Sequence, residues 1–233
     1  MKIQSVASGS AGNCYIIDDG TTALLIECGI PMSQIRRGAG LNLSAISGCI
    51  VSHEHGDHIK SATDIMSAGI EIYTSRGTAA AKGLKGHRLN LIKAAVPFKV
   101  GTFNITAFRV MHDAKEPFGF VIYSTITKET VLYLTDTSYS PVKFKNLTHI
   151  MLEINYSDEI LAANFKSGRI NDKRGIRTTY NHMDLETALD LLRKNWSPYL
   201  RQIWLLHLSD ANSDAAFFKS EVEKVTGSEV IIA

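Results

Sequence analysis

Apolar residues in the first half of the chain come in short runs broken by turn residues, the pattern of strands. Such runs span Lys2 to Ala7, Cys14 to Asp18 and Ala23 to Glu27. Between the first two lies a glycine-rich stretch, Ser8-Gly9-Ser10-Ala11-Gly12-Asn13, which must be a loop; by itself it reads equally as a plain hairpin connection. A Gly20-Thr21 turn separates the second run from the third. Another apolar run closes at Cys49-Ile50-Val51, and beyond it Ile59, Ala62, Ile65 and Met66 recur with helical period, placing Asp57 near a helix start.

Further strands are expected at Glu71 to Thr74, Phe103 to Val110, Gly119 to Ser124, Thr130 to Leu134, His149 to Ile154 and Glu229 to Ile232. Helices are expected at Asp158 to Phe165, Leu185 to Lys194 and Ser213 to Val225. Strands dominate early and alternate with helices later. That order suits an α/β (α+β) fold of two packed sheets with helices on their outer faces. No linker, repeat or low-complexity tract interrupts it, so residues 1–233 are read as a single domain.

Composition adds little. Hydrophobic residues make up 45% and charged residues 21%, ordinary for a globular protein, and the formal net charge is +2. So small a charge does not by itself argue for nucleic acid or an anionic membrane. No apolar stretch approaches a membrane span, and Met1-Lys2-Ile3-Gln4-Ser5 lacks the apolar core of a signal peptide. The three cysteines, Cys14, Cys28 and Cys49, have no Cys-x-x-Cys spacing and read as reduced and buried in a cytoplasmic protein.

Chemistry concentrates in His53-Glu54-His55-Gly56-Asp57-His58. Two histidines spaced by two reach one metal from a loop, and the Asp-His pair just beyond reaches a second beside it. Imidazole and carboxylate suit zinc, with manganese or iron as substitutes. Solvated histidines alone do not explain so dense a pattern. Further ligands are sought at strand ends, which converge at a sheet edge. His112 follows Phe108-Arg109-Val110-Met111, Asp136 follows Val131-Leu132-Tyr133-Leu134-Thr135, and His207 follows Ile203-Trp204-Leu205-Leu206.

These motifs, in this order, resemble the metallo-β-lactamase fold superfamily. The resemblance implies a four-layer αββα sandwich holding two divalent metals, Zn2+ with Mn2+ as alternative. His53, His55 and His112 would bind one metal, Asp57, His58 and His207 the other, and Asp136 would bridge them. The acidic residue that supports the histidine loop is here Glu27 where aspartate is commoner, a departure that would shift the loop slightly. The absence of a cysteine ligand and of an export signal argues against a true β-lactamase, and His55 stands where the flavodiiron branch has glutamate.

Two metals roughly 3.5–4 Å apart can hold a hydroxide while neutralising the phosphate it attacks. Asp57 would orient that hydroxide. His182, in Tyr180-Asn181-His182-Met183-Asp184-Leu185, is a candidate acid for the leaving oxygen, with Glu153 holding it oriented and charged. Together with His207-Leu208-Ser209 this pair resembles the phosphodiesterase branch containing tRNase Z. The segments Ala7-Ser8-Gly9-Ser10-Ala11-Gly12-Asn13, Met111-His112-Asp113-Ala114 and Asn181-His182-Met183 resemble the narrower WalJ/YycJ-like group of bacterial and phage hydrolases. That group resembles both DNA exonucleases and phage anti-Pycsar phosphodiesterases that open cyclic mononucleotides.

The leading expectation is a two-metal phosphodiesterase acting on 3′,5′-cyclic mononucleotides, cytoplasmic (in the host cytoplasm if phage-encoded) and, by its resemblance to tRNase Z-like enzymes, a homodimer. The alternative is a metal-dependent nuclease. The chain has no residues to spare for an inserted nuclease domain or a long tRNA-gripping arm, and this tilts the reading to a small substrate. Lys166, Arg169, Lys173, Arg174 and Arg177, with Asp172 among them, read as a solvated loop or as a phosphate clamp flanked by Tyr156, Phe165 and Tyr180, and a partner subunit could supply that clamp. A thioester or lactone hydrolase, a nucleotide-sequestering protein and a structural zinc protein are weaker readings. His87 and His149 are expected to be a surface and a strand residue, and Trp196 and Trp204 to pack in the core.

Overall fold

The computed structural model describes residues 1–40, 42–170 and 172–233, and the backbone alone at 172–174. The chain folds as two compact units, one of residues 1–109 with 114–129 and the other of residues 110–113 with 130–233.

The first unit opens with β1 (Lys2–Ala7), β2 (Cys14–Asp18) and β3 (Ala23–Ile26). Next come α1 (Met32–Gly38), β4 (Ile46–Ile50), α2 (Gly56–Ile59) and α3 (Ala62–Ser67). β5 (Ile72–Ser75), α4 (Arg76–Lys82) and β6 (Leu89–Ile92) follow. β1 to β6 form one sheet in chain order, antiparallel through β3 and parallel beyond it. Its inner strands are buried apolar runs, as parallel strands covered on both faces must be. Cys14, Leu25, Cys28, Cys49, Val51, Ile59, Ile65 and Ile72 share one core, and all three cysteines are free.

The expected single helix after the histidines is in fact two. Ser61 interrupts it because its backbone N–H donates to the Cys28 carbonyl at 2.9 Å and its hydroxyl to the Ile30 carbonyl at 2.7 Å. That exchange ties the helical segment to the turn after β3.

β7 (Phe98–Val100), β8 (Phe103–Arg109) and β9 (Phe118–Ser124) are antiparallel neighbours. Buried Phe103, Ile105 and Ala107 alternate along β8 with more exposed residues, the period of a strand with one covered face. Asp19, in the β2–β3 turn, fastens this strip to the first sheet. Its carboxylate accepts from the Thr102 and Ser124 hydroxyls at 2.6 and 2.7 Å and from the N–H groups of Thr21 and Thr22 at 3.0 and 2.9 Å. Burial pushes the Asp19 carboxyl up, but those hydroxyls and N–H groups outweigh it and hold it below the usual carboxylate value.

The second unit is built on β10 (Thr130–Leu134) and β11 (His149–Glu153), followed by α5 (Asp158–Lys166), α6 (Asp172–Asn181) and α7 (Leu185–Asn195). β12 (Gln202–Leu206), α8 (Ala215–Thr226) and β13 (Glu229–Ile232) complete it. β10 to β13 run parallel in chain order. α5, α7 and α8 start at Ser157, Asp184 and Asp214, whose side chains accept from N–H groups of the first turn. Leu134 pairs with Leu152, and Glu153 with Leu206, so β10, β11 and β12 end side by side. Their last residues and the ones just after deliver Asp136, Glu153 and His207 to one edge.

Several expectations need correction. The basic stretch at 166–177 is only partly a loop: α5 ends at Lys166, Arg169 lies in the bend that follows, and α6 begins at Asp172; the side chains of Asp172, Lys173 and Arg174 lie outside the described residues. Trp204 is buried, but Trp196 is 54% exposed. It caps α7, and its indole N–H donates to the Thr226 carbonyl at 3.1 Å, which holds the ring on the surface at the end of α8.

Replacing Asp19 by Asn should destabilise the protein by about 2 kcal/mol at pH 7, because hydrogen bonds to a carboxylate become neutral and a hydroxyl is left mispaired. The folded carboxyl titrates below the unfolded one, so its contribution is present above the unfolded value and lost as pH falls through the folded one. Urea melts of wild type and Asp19→Asn at pH 7 and at acid pH should show the gap closing. An equal gap at both would disprove the ionic contribution.

Candidate metal centre

Each unit assembles its own group of donors. In the first, the loop after β4 carries His53, His55, Asp57 and His58. The His53 ring lies 4.7 Å from that of His55 and 4.2 Å from that of His58, centroid to centroid. His53 Nδ1 is 2.9 Å from the Ser52 hydroxyl, and His58 Nε2 is 3.4 Å from an Asp57 carboxylate oxygen. Three imidazoles crowd together beside a carboxylate, and His53 and His58 are buried.

Two elements hold that loop in place. Glu27, fully buried just after β3, accepts from the Ser52 N–H at 3.3 Å and lies 3.6 Å from His58 Nδ1. It adopts a left-handed backbone with φ 62°. The second element is the glycine-rich stretch, which is a brace as well as a connection. The Asn13 N–H donates to the Asp57 carbonyl at 2.7 Å, and its side-chain amide donates to the same carbonyl at 3.2 Å and approaches His58 Nε2 at 3.2 Å. Gly29 lets this happen, since a Cβ there would fall 1.7 Å from the Asp57 carbonyl oxygen. The sequence marked the loop but gave no sign that Asn13 supports the histidines.

In the second unit, Asp136 stands between two histidines, each facing a different carboxylate oxygen. His112 Nε2 is 3.5 Å from Oδ2 and His207 Nε2 is 3.9 Å from Oδ1. His112 Nδ1 donates to the Asn181 carbonyl at 3.2 Å, and His207 Nδ1 lies 3.4 Å from Glu153 Oε1. Both rings are thereby turned so that Nε2 faces Asp136, as partners of ligating histidines do. Asn155 adds a bond from its amide to the His207 carbonyl at 2.9 Å. Asp136 and His207 carry left-handed backbones, φ 47° and 50°, a strained conformation that in residues other than glycine collects at functional sites.

Glu153 and His182 meet beside them. His182 Nδ1 donates to Glu153 Oε1 at 2.6 Å, and its ring stacks on His207 at 5.4 Å. Asp136, Glu153, His182 and His207 each offer a ligand atom within 4.8 Å of the others. Burial pushes Glu153 up and His182 down. Their attraction outweighs it in both, so Glu153 is held below the usual carboxylate value and His182 above the usual histidine value. The Thr137 N–H adds a bond to Glu153 Oε2 at 3.3 Å.

These donors fit a divalent metal. Imidazole and carboxylate are borderline-to-hard ligands, and a carboxylate giving one oxygen to each of two sides is suited to share metals. Of the residues singled out from sequence, His53, His55, Asp57 and His58 gather in one unit, and His112, Asp136, Glu153, His182 and His207 in the other. Asn13, Asn155 and Asn181 were given no role by the sequence, because an amide carries no ligand signature.

A family description, Beta-lactamase superfamily domain, matches residues 22–200. The exodeoxyribonuclease YycJ of Bacillus anthracis is 26% identical over 94% of this chain and 87% of that protein. In three dimensions the chain is similar to the metallo-beta-lactamase fold protein YhfI of Bacillus subtilis, with TM-score 0.77, 20% identity and coverage of 99% of this chain and 95% of that one. It is also similar to the short form of human tRNase Z, with TM-score 0.66, 16% identity and coverage of 100% and 96%.

Two measurements probe the geometry in metal-free protein. Asn13→Ala should cost about 2–3 kcal/mol in urea unfolding, since it strands buried groups, and should weaken zinc binding in a chelator competition. Unchanged zinc affinity would mean that Asn13 does not hold the histidine loop. Glu153→Gln should lower the pKa of His182 in an imidazole NMR titration. The His182 contribution is present below the unfolded histidine pKa and lost as pH rises through the raised folded value, so the variant should forfeit it. A titration at the wild-type position would remove Glu153 as the cause.

Proposed function

The chain belongs to the Beta-lactamase superfamily and is a metal-dependent hydrolase, and from that premise we propose that it cleaves phosphodiester bonds at the end of a DNA strand. The ligand set we assign is the one the superfamily resemblance implies: His53, His55 and His112 for one metal, Asp57, His58 and His207 for the other, and Asp136 shared. In this reading residues 1–233 work as one domain. Bound divalent metals would supply charge neutralisation for the phosphate and a lowered pKa for the attacking water.

The observation that carries the reading is the Glu153–His182 pair. A phosphodiester leaves behind an alkoxide, which needs a proton as its bond breaks. Glu153 occupies His182 Nδ1 and favours the imidazolium, which leaves the Nε2 proton for the departing oxygen. Hydrolysis of a thioester, whose thiolate departs without a proton, has less use for such a group. The name of YycJ, an exodeoxyribonuclease similar along nearly the whole chain, supports a DNA substrate.

The second reading, a 3′,5′-cyclic mononucleotide phosphodiesterase as in anti-Pycsar enzymes, rests on the same pair, since ring opening also expels an alkoxide. A cytoplasmic setting suits both; among the described residues no helix is long and apolar enough to cross a membrane.

Zinc- or manganese-loaded protein should shorten a labelled single-stranded oligodeoxynucleotide and leave cyclic CMP, UMP, AMP and GMP largely intact. Asp57→Ala should abolish cleavage. His182→Ala should slow the oligonucleotide reaction by about 10²–10⁴-fold yet affect bis(p-nitrophenyl) phosphate far less, because nitrophenolate leaves without a proton. Cyclic nucleotides opened while the oligonucleotide survives would put the second reading first. Equal losses on both phosphodiesters would remove His182 from the leaving-group role.

A further inference from the structure

Within the first unit, a groove of about 440 Å³ borders the histidine loop and is lined by Ser10, Ala11, Gly29, Gly56, Asp57, Lys60 and Lys82. Lys60 follows α2 and Lys82 ends α4, so separate elements bring two lysines to one groove. Both lysines are exposed, and neither forms an ion pair among the described residues. The tip of the glycine-rich loop lines the same groove. The Ser10 and Ala11 N–H groups find no backbone or side-chain acceptor among the described residues, while Gly12 and Asn13 spend theirs on Gly9 and Asp57.

Two lysines and a loop segment with two backbone N–H groups and a hydroxyl thus line the same groove as Asp57. The one anionic group in the lining is Asp57 itself. Its charge would be absorbed by the metal that the proposed function assigns to it. Among the described residues the remaining donors have no protein acceptor, and an anion with several oxygens can engage them together.

We propose that this groove is a subsite for a second phosphate of the same strand, next to the scissile one. The substrate class it selects is therefore an oligonucleotide. A cyclic mononucleotide, with its single phosphate at the metals, leaves the groove unfilled. This rests on the phosphodiesterase reading for its placement of the scissile phosphate at Asp57, but the groove can be tested without catalysis.

The test is made on Lys60→Gln, Lys82→Gln, the double variant, and a double Lys→Arg variant that keeps the charge. Lys99→Gln on β7 serves as control. First, binding of fluorescein-labelled phosphorothioate oligo(dT), which resists cleavage, to metal-loaded protein is followed by anisotropy across a salt series. Each Gln substitution should weaken binding about fivefold, the worth of one charge contact, and flatten the dependence of log K on log salt by about 0.7. Lys→Arg should restore both, and Lys99→Gln should change neither. Second, in the metal-loaded enzyme, the ratio of kcat/KM on oligo(dT) to that on bis(p-nitrophenyl) phosphate should fall by about the same factor per lysine.

Unchanged affinity and an unchanged ratio in the double Gln variant would overturn the subsite. So would equal losses on both phosphodiesters, which would place the lysines' effect on the reacting centre. If free inorganic phosphate weakens oligo(dT) binding equally in wild type and double variant, the groove does not hold a phosphate, and the proposal fails. A wild type that cleaves neither phosphodiester refutes the phosphodiesterase reading alone, because the anisotropy still decides the groove.

Discussion

Two carboxylates buried at the ends of neighbouring parallel strands govern the chemistry of the second unit. Asp136 lies just beyond β10 and Glu153 closes β11, and both are almost wholly removed from water. Like charges so close in a medium of low dielectric repel, and the Asp136 charge pushes the Glu153 carboxyl up. They stay ionised only with positive or hydrogen-donating partners at hand. The protein supplies imidazoles, with His182 bonded to Glu153, His207 facing both carboxylates, and His112 on the far side of Asp136. With His182 favoured as the imidazolium against Glu153, the Asp136 carboxylate still stands between two imidazoles, an arrangement that a divalent cation would complete. Strained backbones at Asp136 and His207 show that the fold keeps this arrangement against local preference.

The strands that carry these groups were readable from sequence because their signal is local. Runs such as Val131-Leu132-Tyr133-Leu134 need no context to read as buried parallel strands, and a polar residue straight after one stands out. The histidine cluster was readable for the same reason. What escaped the sequence depends on partners distant along the chain. The role of Asn13 rests on a carbonyl 44 residues away, and nothing near Asn13 announces it. The break in the helix after His58 depends likewise on carbonyls in the turn after β3.

Short and polar elements were lost for another reason. α4 is an alanine-rich turn begun by Ser75, whose side chain accepts from the Thr78 N–H, and its seven residues are too few to display a period. α6 is so rich in charged and polar residues that composition favours a loop; only its exposed Ile176 and buried Ile170 nearby hint at a two-faced segment. Trp196 was misplaced because a large indole suggests a core. Its N–H needs an acceptor, and the open carbonyl at the end of α8 provides one at the surface.

The choice between a cyclic nucleotide and a strand end is a choice about where binding energy comes from. Protonation by His182 and metal chemistry would serve both of these substrates alike, since each expels an alkoxide, so they cannot discriminate between the two. Discrimination has to come from groups that touch parts of the substrate remote from the scissile bond. In the first unit such groups line a groove with Asp57, and among the described residues its lysines and loop N–H groups have no protein acceptor. A net charge of +2 overall is no obstacle to binding a strand, because affinity for a single phosphate is set by the charges within a screening length of it. In the proposed reading, Lys60 and Lys82 therefore weigh more than the near-neutral total.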